Sequence, residues 1–167
     1  MKKPFHQMIR DFDKKMDEDF IYHSWIHSVK NPTKIVMDMT RVLIDDLVEK
    51  NQIKVYHNLD DPNHILGWIA YGEIEDTPLL HFVFVKRDLR RAGIATALVD
   101  HVFPPKKANP KSERWGADYD IFCTHWSHYM QQLNAKDKWS ARYVGSLLPA
   151  CIYEIMMNKL EGIVNAA

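Results

Sequence analysis

The stretch Leu79–His101, LLHFVFVKRDLRRAGIATALVDH, reads as a buried strand, a basic turn and the start of a helix. Leu79 to Val85 holds one polar residue, His81, and its Val and Phe content favours strand over helix. A run apolar on both faces belongs in the centre of a sheet. Lys86 to Arg91 is strongly polar, and beyond it Ile94, Leu98, Val99 and Val102 repeat at helical spacing. A helix start offers unpaired N–H groups and the positive end of its dipole, so an anion placed there is stabilised without any special side chain. Gly93 can take positive φ where the turn demands it, and Ala95 allows close approach. Arg90 and Arg91, with Lys86 and Arg87 behind them, add attraction for a polyphosphate. The ligand this suggests is a pyrophosphate.

Arg90-Arg91-Ala92-Gly93-Ile94-Ala95, directly after a strand ending Phe84-Val85, resembles the Arg/Gln-x-x-Gly-x-Gly/Ala acetyl-CoA signature of the GNAT N-acetyltransferases. The resemblance includes the interval from Val85 to Arg90 and the aliphatic Leu98 and Val99 that seat the helix. It implies an α/β (α+β) fold, the GNAT acyl-CoA N-acyltransferase fold. There a mixed, mostly antiparallel sheet has splayed central parallel strands and flanking helices. It also implies that the amides of Leu89, Arg90, Arg91, Ala92, Gly93, Ile94, Ala95 and Thr96 hold the pyrophosphate of acetyl-CoA. Backbone groups of Phe84 and Val85 would then bond the pantetheine arm in the gap between the splayed strands. The plain alternative is a strand, a basic turn and an amphipathic helix brought together by composition alone.

At 167 residues the chain is expected to form one domain, 1–167, with a core large enough to need no disulfide or metal. Lys plus Arg equals Asp plus Glu, 22 each, so no basic field recruits nucleic acid. There are two cysteines, Cys123 and Cys151, no membrane-span run, and an N-terminus, MKKPFHQMIRDFD, without the apolar core of a signal peptide. A cytoplasmic protein is the expectation.

Upstream, His6–Phe12 is weakly patterned as a first strand. Asp17-Glu18-Asp19 suits a helix N-terminus, with Phe20, Ile21, Trp25 and Val29 on or near one face. Asn31-Pro32-Thr33 stops that helix and offers a cap to the next, whose Ile35, Val36, Met39, Val42, Leu43, Leu47 and Val48 keep the helical period. Ile53–His57 alternates as a strand, Asn58–His64 has turn composition, Ile65–Glu75 returns as a hairpin arm, and Thr77-Pro78 turns into the Leu79 strand. Tyr119–Thr124 is the next strand, parallel to the Leu79 strand because a helix connects them. His125–Ala135 can form a helix, and Arg142–Leu148 with Ala150–Met157 can supply the last strands. The family's usual ending is absent, and Lys138-Trp139-Ser140-Ala141-Arg142-Tyr143 takes its place. Tyr22-His23-Ser24-Trp25 is similar to an Ile/Tyr-x-Ser-Trp segment of small bacteriophage acetyltransferase-like proteins, and an ordinary amphipathic helix explains it equally well.

Acetyl transfer to an amine needs the amine neutral, hence a base within reach, directly or through water. His81, the lone polar residue of the central strand, is the first candidate, with residues 79, 81, 83 and 85 expected on one face. A buried structural histidine is the competing account. Glu73 and Glu75 are alternatives, more often solvated hairpin carboxylates. The leaving thiolate can take a proton from Tyr143 or Tyr129, or leave as it is. His23 with His27, and His125 with His128, share helical faces, yet neither pair has an evident third ligand, so no metal is expected. Cys123 has apolar neighbours that raise a thiol's pKa, which argues against a nucleophile. Trp115, Trp126 and Trp139 are read as core rather than as an acceptor pocket.

Two functions compete. One is an acetyl-CoA-dependent N-acetyltransferase acting by direct attack of an amine acceptor, small molecule or protein, with no covalent enzyme intermediate. The other is a catalytically silent binding module of the same fold that acts by protein contact. Neither requires nucleic acid or membrane, and the oligomeric state, a homodimer included, is left open.

Overall fold

Where apolar residues alternate the chain runs as strand, and where they recur every third or fourth residue it coils. The computed structural model describes residues 8–29, 31–74, 77–103, 119–124, 139–143 and 157. Its elements are β1 (Ile9–Asp11), α1 (Lys14–Ile26), α2 (Lys34–Glu49), β2 (Ile53–His57), β3 (Ile65–Ile74), β4 (Thr77–Val85), α3 (Ile94–Val102), β5 (Tyr119–Cys123) and β6 (Trp139–Tyr143). The strands lie in the sheet in chain order. β1 to β4 pair antiparallel, whereas β4–β5 and β5–β6 pair parallel. This is the mixed, mostly antiparallel sheet with central parallel strands that was expected.

Several boundaries differ from the sequence reading, each for a local reason. α1 begins before the acidic cluster because Asp13 caps it, its side chain accepting the Lys15 amide at 2.9 Å. The helix ends at Ile26, so Val29 lies past it, while Ile21 and Trp25 are buried. Thr33 caps α2 as expected, accepting the Val36 amide. Only the later part of α2 meets the sheet: Leu43, Ile44 and Leu47 are buried, but Ile35 is 71% exposed and Val36 faces solvent too. Thr77 and Pro78 are strand residues opposite Ile74 and Glu73, not the turn that composition suggests. β6 starts at Trp139, and Met157 is helical where a strand was expected. The helix expected over His125–Ala135 lies outside the described residues.

The sheet is covered on both faces. On one, α3 contributes Ile94, Leu98 and Val99 to a cluster with Tyr56, Ile69, Leu80, Ile121 and Cys123. On the other, α1 and α2 contribute Ile21, Trp25, Leu43, Ile44 and Leu47 against Ile53, Val55, Trp68 and Ala70. Fully burying one such aliphatic side chain is worth about 1.5–3 kcal/mol. The Tyr22–Trp25 segment has a packing role here. The Tyr22 hydroxyl bonds Asp45 of α2, Ser24 Oγ accepts Trp68 Nε1–H at 3.0 Å, and Trp25 stacks on Phe82 with ring centroids 5.0 Å apart. Cys123 is buried in the α3-side cluster, and burial pushes its thiol up to about 11.

A half-buried ion pair ties the N-terminal elements. Asp17 is fully buried and receives both Arg10 Nη atoms, at 2.6 and 2.7 Å, together with the Asp13 amide at 2.7 Å. Arg10 Nη2 also donates to the Pro62 carbonyl at 3.1 Å. One guanidinium therefore joins β1, the first turn of α1 and the β2–β3 loop. The parallel, bidentate geometry offsets the cost of removing the Asp17 charge from water, while Arg10 stays partly exposed.

Two outcomes follow. Asp17→Asn should destabilise the fold by about 1.5–3 kcal/mol, read as a lower urea midpoint at unchanged m-value, because the fully buried side chain loses the charge that meets the partly exposed Arg10 guanidinium. Alkaline pH should weaken the fold through Cys123, whose neutral thiol is favoured when folded. That contribution is complete below the ordinary value of 9.0 and is lost as pH rises toward about 11. Cys123→Ala should lose less stability than the parent across that window, and equal pH slopes would refute the assignment.

Candidate functional site

β4 carries one residue more than its antiparallel neighbour can match. Leu80 pairs with Tyr71 and Phe82 with Ala70, so His81 enters as a β-bulge. The extra residue breaks the two-residue period. Leu80 shares the α3 face with Val83 and Val85, while Phe82 and Phe84 pack on the α1–α2 side. The expectation that residues 79, 81, 83 and 85 share one face therefore fails, because an inserted residue reverses the alternation that follows it. Phe82 lies against Trp25 and Trp68, and Phe84 meets the edge of Phe20 at 5.7 Å.

His81 is 4% exposed. The end of β5 straps the bulge from the other side. The Thr124 amide donates to the Leu80 carbonyl at 3.1 Å, and Thr124 Oγ1 lies 3.4 Å from both His81 Nδ1 and the His81 carbonyl oxygen. Thr124 is itself 2% exposed. On the β2–β3 side His81 Nε2 lies 3.3 Å from where a Cβ at Gly72 would stand, and Gln52 Oε1 lies 3.8 Å from that same point.

The β4–β5 ladder consists of Leu79 with Phe122 and Leu80 with Cys123, and then the β5 strand ends. Further along β4 the antiparallel alternation decides where each peptide group points. The Lys86 amide donates to the Leu66 carbonyl at 3.0 Å, and the Phe84 carbonyl oxygen faces Gly67, so both groups are directed at β3. Val83 and Val85 lie between these positions and turn their peptide groups to the opposite edge, on the β5 side. Arg90 Nε donates to the Val85 carbonyl there at 3.4 Å.

The loop after β4 folds on itself before releasing the helix. A 3-10 turn over Arg87–Leu89 uses the amides of Leu89, Arg90 and Ala92 in bonds to the carbonyls of Lys86, Arg87 and Leu89. Arg91 then takes φ +74 and Gly93 φ +87, both left-handed. Such a conformation costs a non-glycine residue about 1–2 kcal/mol. α3 starts at Ile94 with Gly93 as its N-cap, and a glycine supplies no capping side chain. The Ile94, Ala95 and Thr96 amides have no acceptor within an α-helix, and they carry the positive end of its dipole. Arg87, Arg90, Arg91, Ala92 and Gly93 are exposed, while Leu89, Ala95 and Thr96 are half-buried. A Cβ at Gly93 would meet nothing within 4 Å. This open, amide-lined and arginine-flanked corner has the chemistry of an anion site.

The other candidates are scattered. Glu73 is exposed on β3, away from the bulge in register, and Glu75 lies outside the described residues. The backbone of Tyr143 is in register with Cys123, which in turn pairs with Leu80, so Tyr143 stands two strands from the bulge row. Trp139 belongs to β6, while Trp115, Trp126, His125, His128, Tyr129 and Cys151 lie outside the described residues. His23 and His27 lie on the exposed side of α1 with ring centroids 4.1 Å apart and planes tilted by 50°, and no group of three or more metal-binding side chains occurs among the described residues. Sequence reasoning missed Thr124 and Gly72 as neighbours of His81. A glycine inside a strand is a signal for a bulge or a close approach, and Gly72 carried it.

The family model described as "Acetyltransferase (GNAT) family" matches residues 16–114, which take in α1 through the Gly93 loop and α3. No curated protein matches. Among solved structures, a GCN5-related N-acetyltransferase from Sphaerobacter thermophilus is 22% identical with a TM-score of 0.46, over 57% of this chain and 30% of that one. Ard1 from Thermoplasma volcanium is 22% identical with a TM-score of 0.39, over 56% of this chain and 58% of its own. An aminoglycoside acetyltransferase from an uncultured soil metagenomic sample, in complex with sisomicin, is 17% identical with a TM-score of 0.43, over 78% of this chain and 86% of its own. The chain thus spans less than two thirds of the first two. No helix among the described residues is long and apolar enough to cross a membrane. With the family model covering more than half of its length, the chain belongs to the GNAT acetyltransferase family.

Proposed function

We propose that the protein transfers an acetyl group from acetyl-CoA to an amine by direct attack. The observation that carries this reading is the junction at the end of β4. A glycine-capped helix start with uncommitted amides stands beside an edge of β4 that turns peptide groups away from β3. The first feature suits a pyrophosphate, and the second suits the amide-bearing pantetheine arm. Val83 and Val85 are the residues whose alternation supplies that edge, with the Val85 carbonyl exchanging Arg90 for the arm. Phe84, directed at β3, instead anchors the strand. Within the expected stretch Leu89 to Thr96, the amides from Gly93 to Thr96 hold the phosphates, flanked by the Arg90 and Arg91 side chains, whereas the Leu89, Arg90 and Ala92 amides are spent inside the turn.

His81 is assigned as the base that takes the amine's proton, directly or through one water. Thr124 helps to define which nitrogen does so. Its hydroxyl lies equally close to the His81 carbonyl and to Nδ1, and it has one proton to give. Given to the carbonyl, which can only accept, that proton leaves an oxygen lone pair for Nδ1–H and makes Nε2 the basic nitrogen. Tyr143 is assigned the return of a proton to the thiolate, on the strength of its register alone. Cys123 takes no part, since its raised pKa leaves it a neutral thiol near pH 7.

The acceptor is tested by a panel: a polyamine, an aminoglycoside, a peptide with a free N-terminus and a lysine peptide, with release of CoA thiol as readout. Binding of acetyl-CoA with no turnover on any of these would favour the binding module. Gly93→Trp should abolish acetyl-CoA binding in calorimetry, because a bulky side chain occupies the open corner and the left-handed φ disfavours it. Undiminished binding would remove the phosphate site from this loop. His81→Ala should lower kcat by about a hundredfold or more and erase the acid limb of the pH–rate profile. An unchanged profile would remove His81 from the mechanism.

A further inference from the structure

Two glycines sit in β3 for different reasons. At Gly67 an added Cβ would lie 2.8 Å from the Phe84 carbonyl oxygen and 3.0 Å from Ile94 Cγ2, so this glycine lets β4 and α3 close on the sheet. Gly72 is also buried, opposite Leu79, but its φ lies outside the left-handed range, so the backbone there requires no glycine. A Cβ at Gly72 would make one tight contact, 3.3 Å to His81 Nε2. The next atoms, Gln52 Oε1 and His81 Cδ2, stand at 3.8 Å, an ordinary contact.

From this we infer that Gly72 is a positioning residue for His81: its missing side chain is the space that lets the bulged imidazole keep Nε2 in place for proton transfer. The inference rests on His81 being the base. His81 is the extra residue of the bulge, with Thr124 Oγ1 near its Nδ1 and Gly72 beside its Nε2. Glycine weakens a strand interior relative to alanine, and here neither backbone strain nor a clash with backbone accounts for it. Space beside one ring nitrogen does.

A Cβ at 72 obliges the ring to give by a few tenths of an ångström. Since a misplacement of about 1 Å can cost about a hundredfold, Gly72→Ala should lower kcat about tenfold. The KM for acetyl-CoA should stay unchanged, because the phosphate loop lies beyond the other end of β4. The assay uses acetyl-CoA with butylamine as probe acceptor, beside the panel above. The melting temperature of Gly72→Ala should equal or exceed the parent's. The His81 ring 15N and 1H resonances should shift, and Gly72→Ala should cost nothing further in a His81→Ala background. Unchanged kcat and ring resonances in Gly72→Ala, or an equal loss in the His81→Ala background, would overturn the inference while leaving the base in place. His81→Ala at the parent rate, or no turnover of any amine by the parent, would instead overturn the base and the positioning role with it. Should Gly72→Ala fail to fold, the parent still decides: a nuclear Overhauser contact between Gly72 Hα and the His81 ring is required, and its absence defeats the inference.

Discussion

The constraint on which the rest of this structure depends is the one residue that β4 holds in excess of β3. An antiparallel ladder keeps every side chain on its assigned face only while both strands count equally. The insertion at His81 reverses the count, sending Phe82 and Phe84 beneath α1 and α2 and leaving Val83 and Val85 to α3. It also sets which peptide groups beyond the bulge face β3 and which face the β5 side. The aromatic layer of Trp25, Trp68 and Phe82 packs behind the bulged segment, and the bidentate Arg10–Asp17 pair fastens the helix that supplies Trp25.

How far the sequence discloses this differs from element to element. The strand, turn and helix from Leu79 to Val102 are legible because composition, a glycine at the corner and a change of period from two to nearly four all agree. The bulge is not legible. Leu79–Val85 is apolar on both faces, so no alternation exists whose reversal could be noticed. The hairpin of β2 and β3 can be read because its turn residues have local reasons to be there, whereas the Arg10–Asp17 pair depends on where β1 and α1 meet in space. Ile35 and Val36 keep the helical period and still face solvent, since periodicity identifies a face without saying how far the partner surface extends. Of the candidate site, the phosphate corner and His81 could be found in one dimension. Thr124 and Gly72 acquire meaning only across strands.

The phosphate corner also shows where local conformational strain is placed. Arg91 adopts a left-handed φ with a full side chain, one residue before Ala92 and two before a glycine that does so freely. Such strain persists where the surroundings over-determine it. Here the 3-10 turn before and α3 after, the latter anchored by buried Ile94, Leu98 and Val99, hold both ends of the loop. The result is a corner whose amides are oriented before any anion arrives, so less ordering remains to be done on binding.

The sheet's seams are unequal. β4 and β5 share two register pairs, against three or more at every other seam among the described residues. The sheet is thereby two panels, β1–β4 and β5–β6, laced at one end. Parting them at the lacing gives up two register pairs and the Thr124–Leu80 backbone bond, and the lacing sits beside His81 and Thr124. Among the described seams, this is the one held by the shortest run of register, and local opening is drawn to such weakly held places.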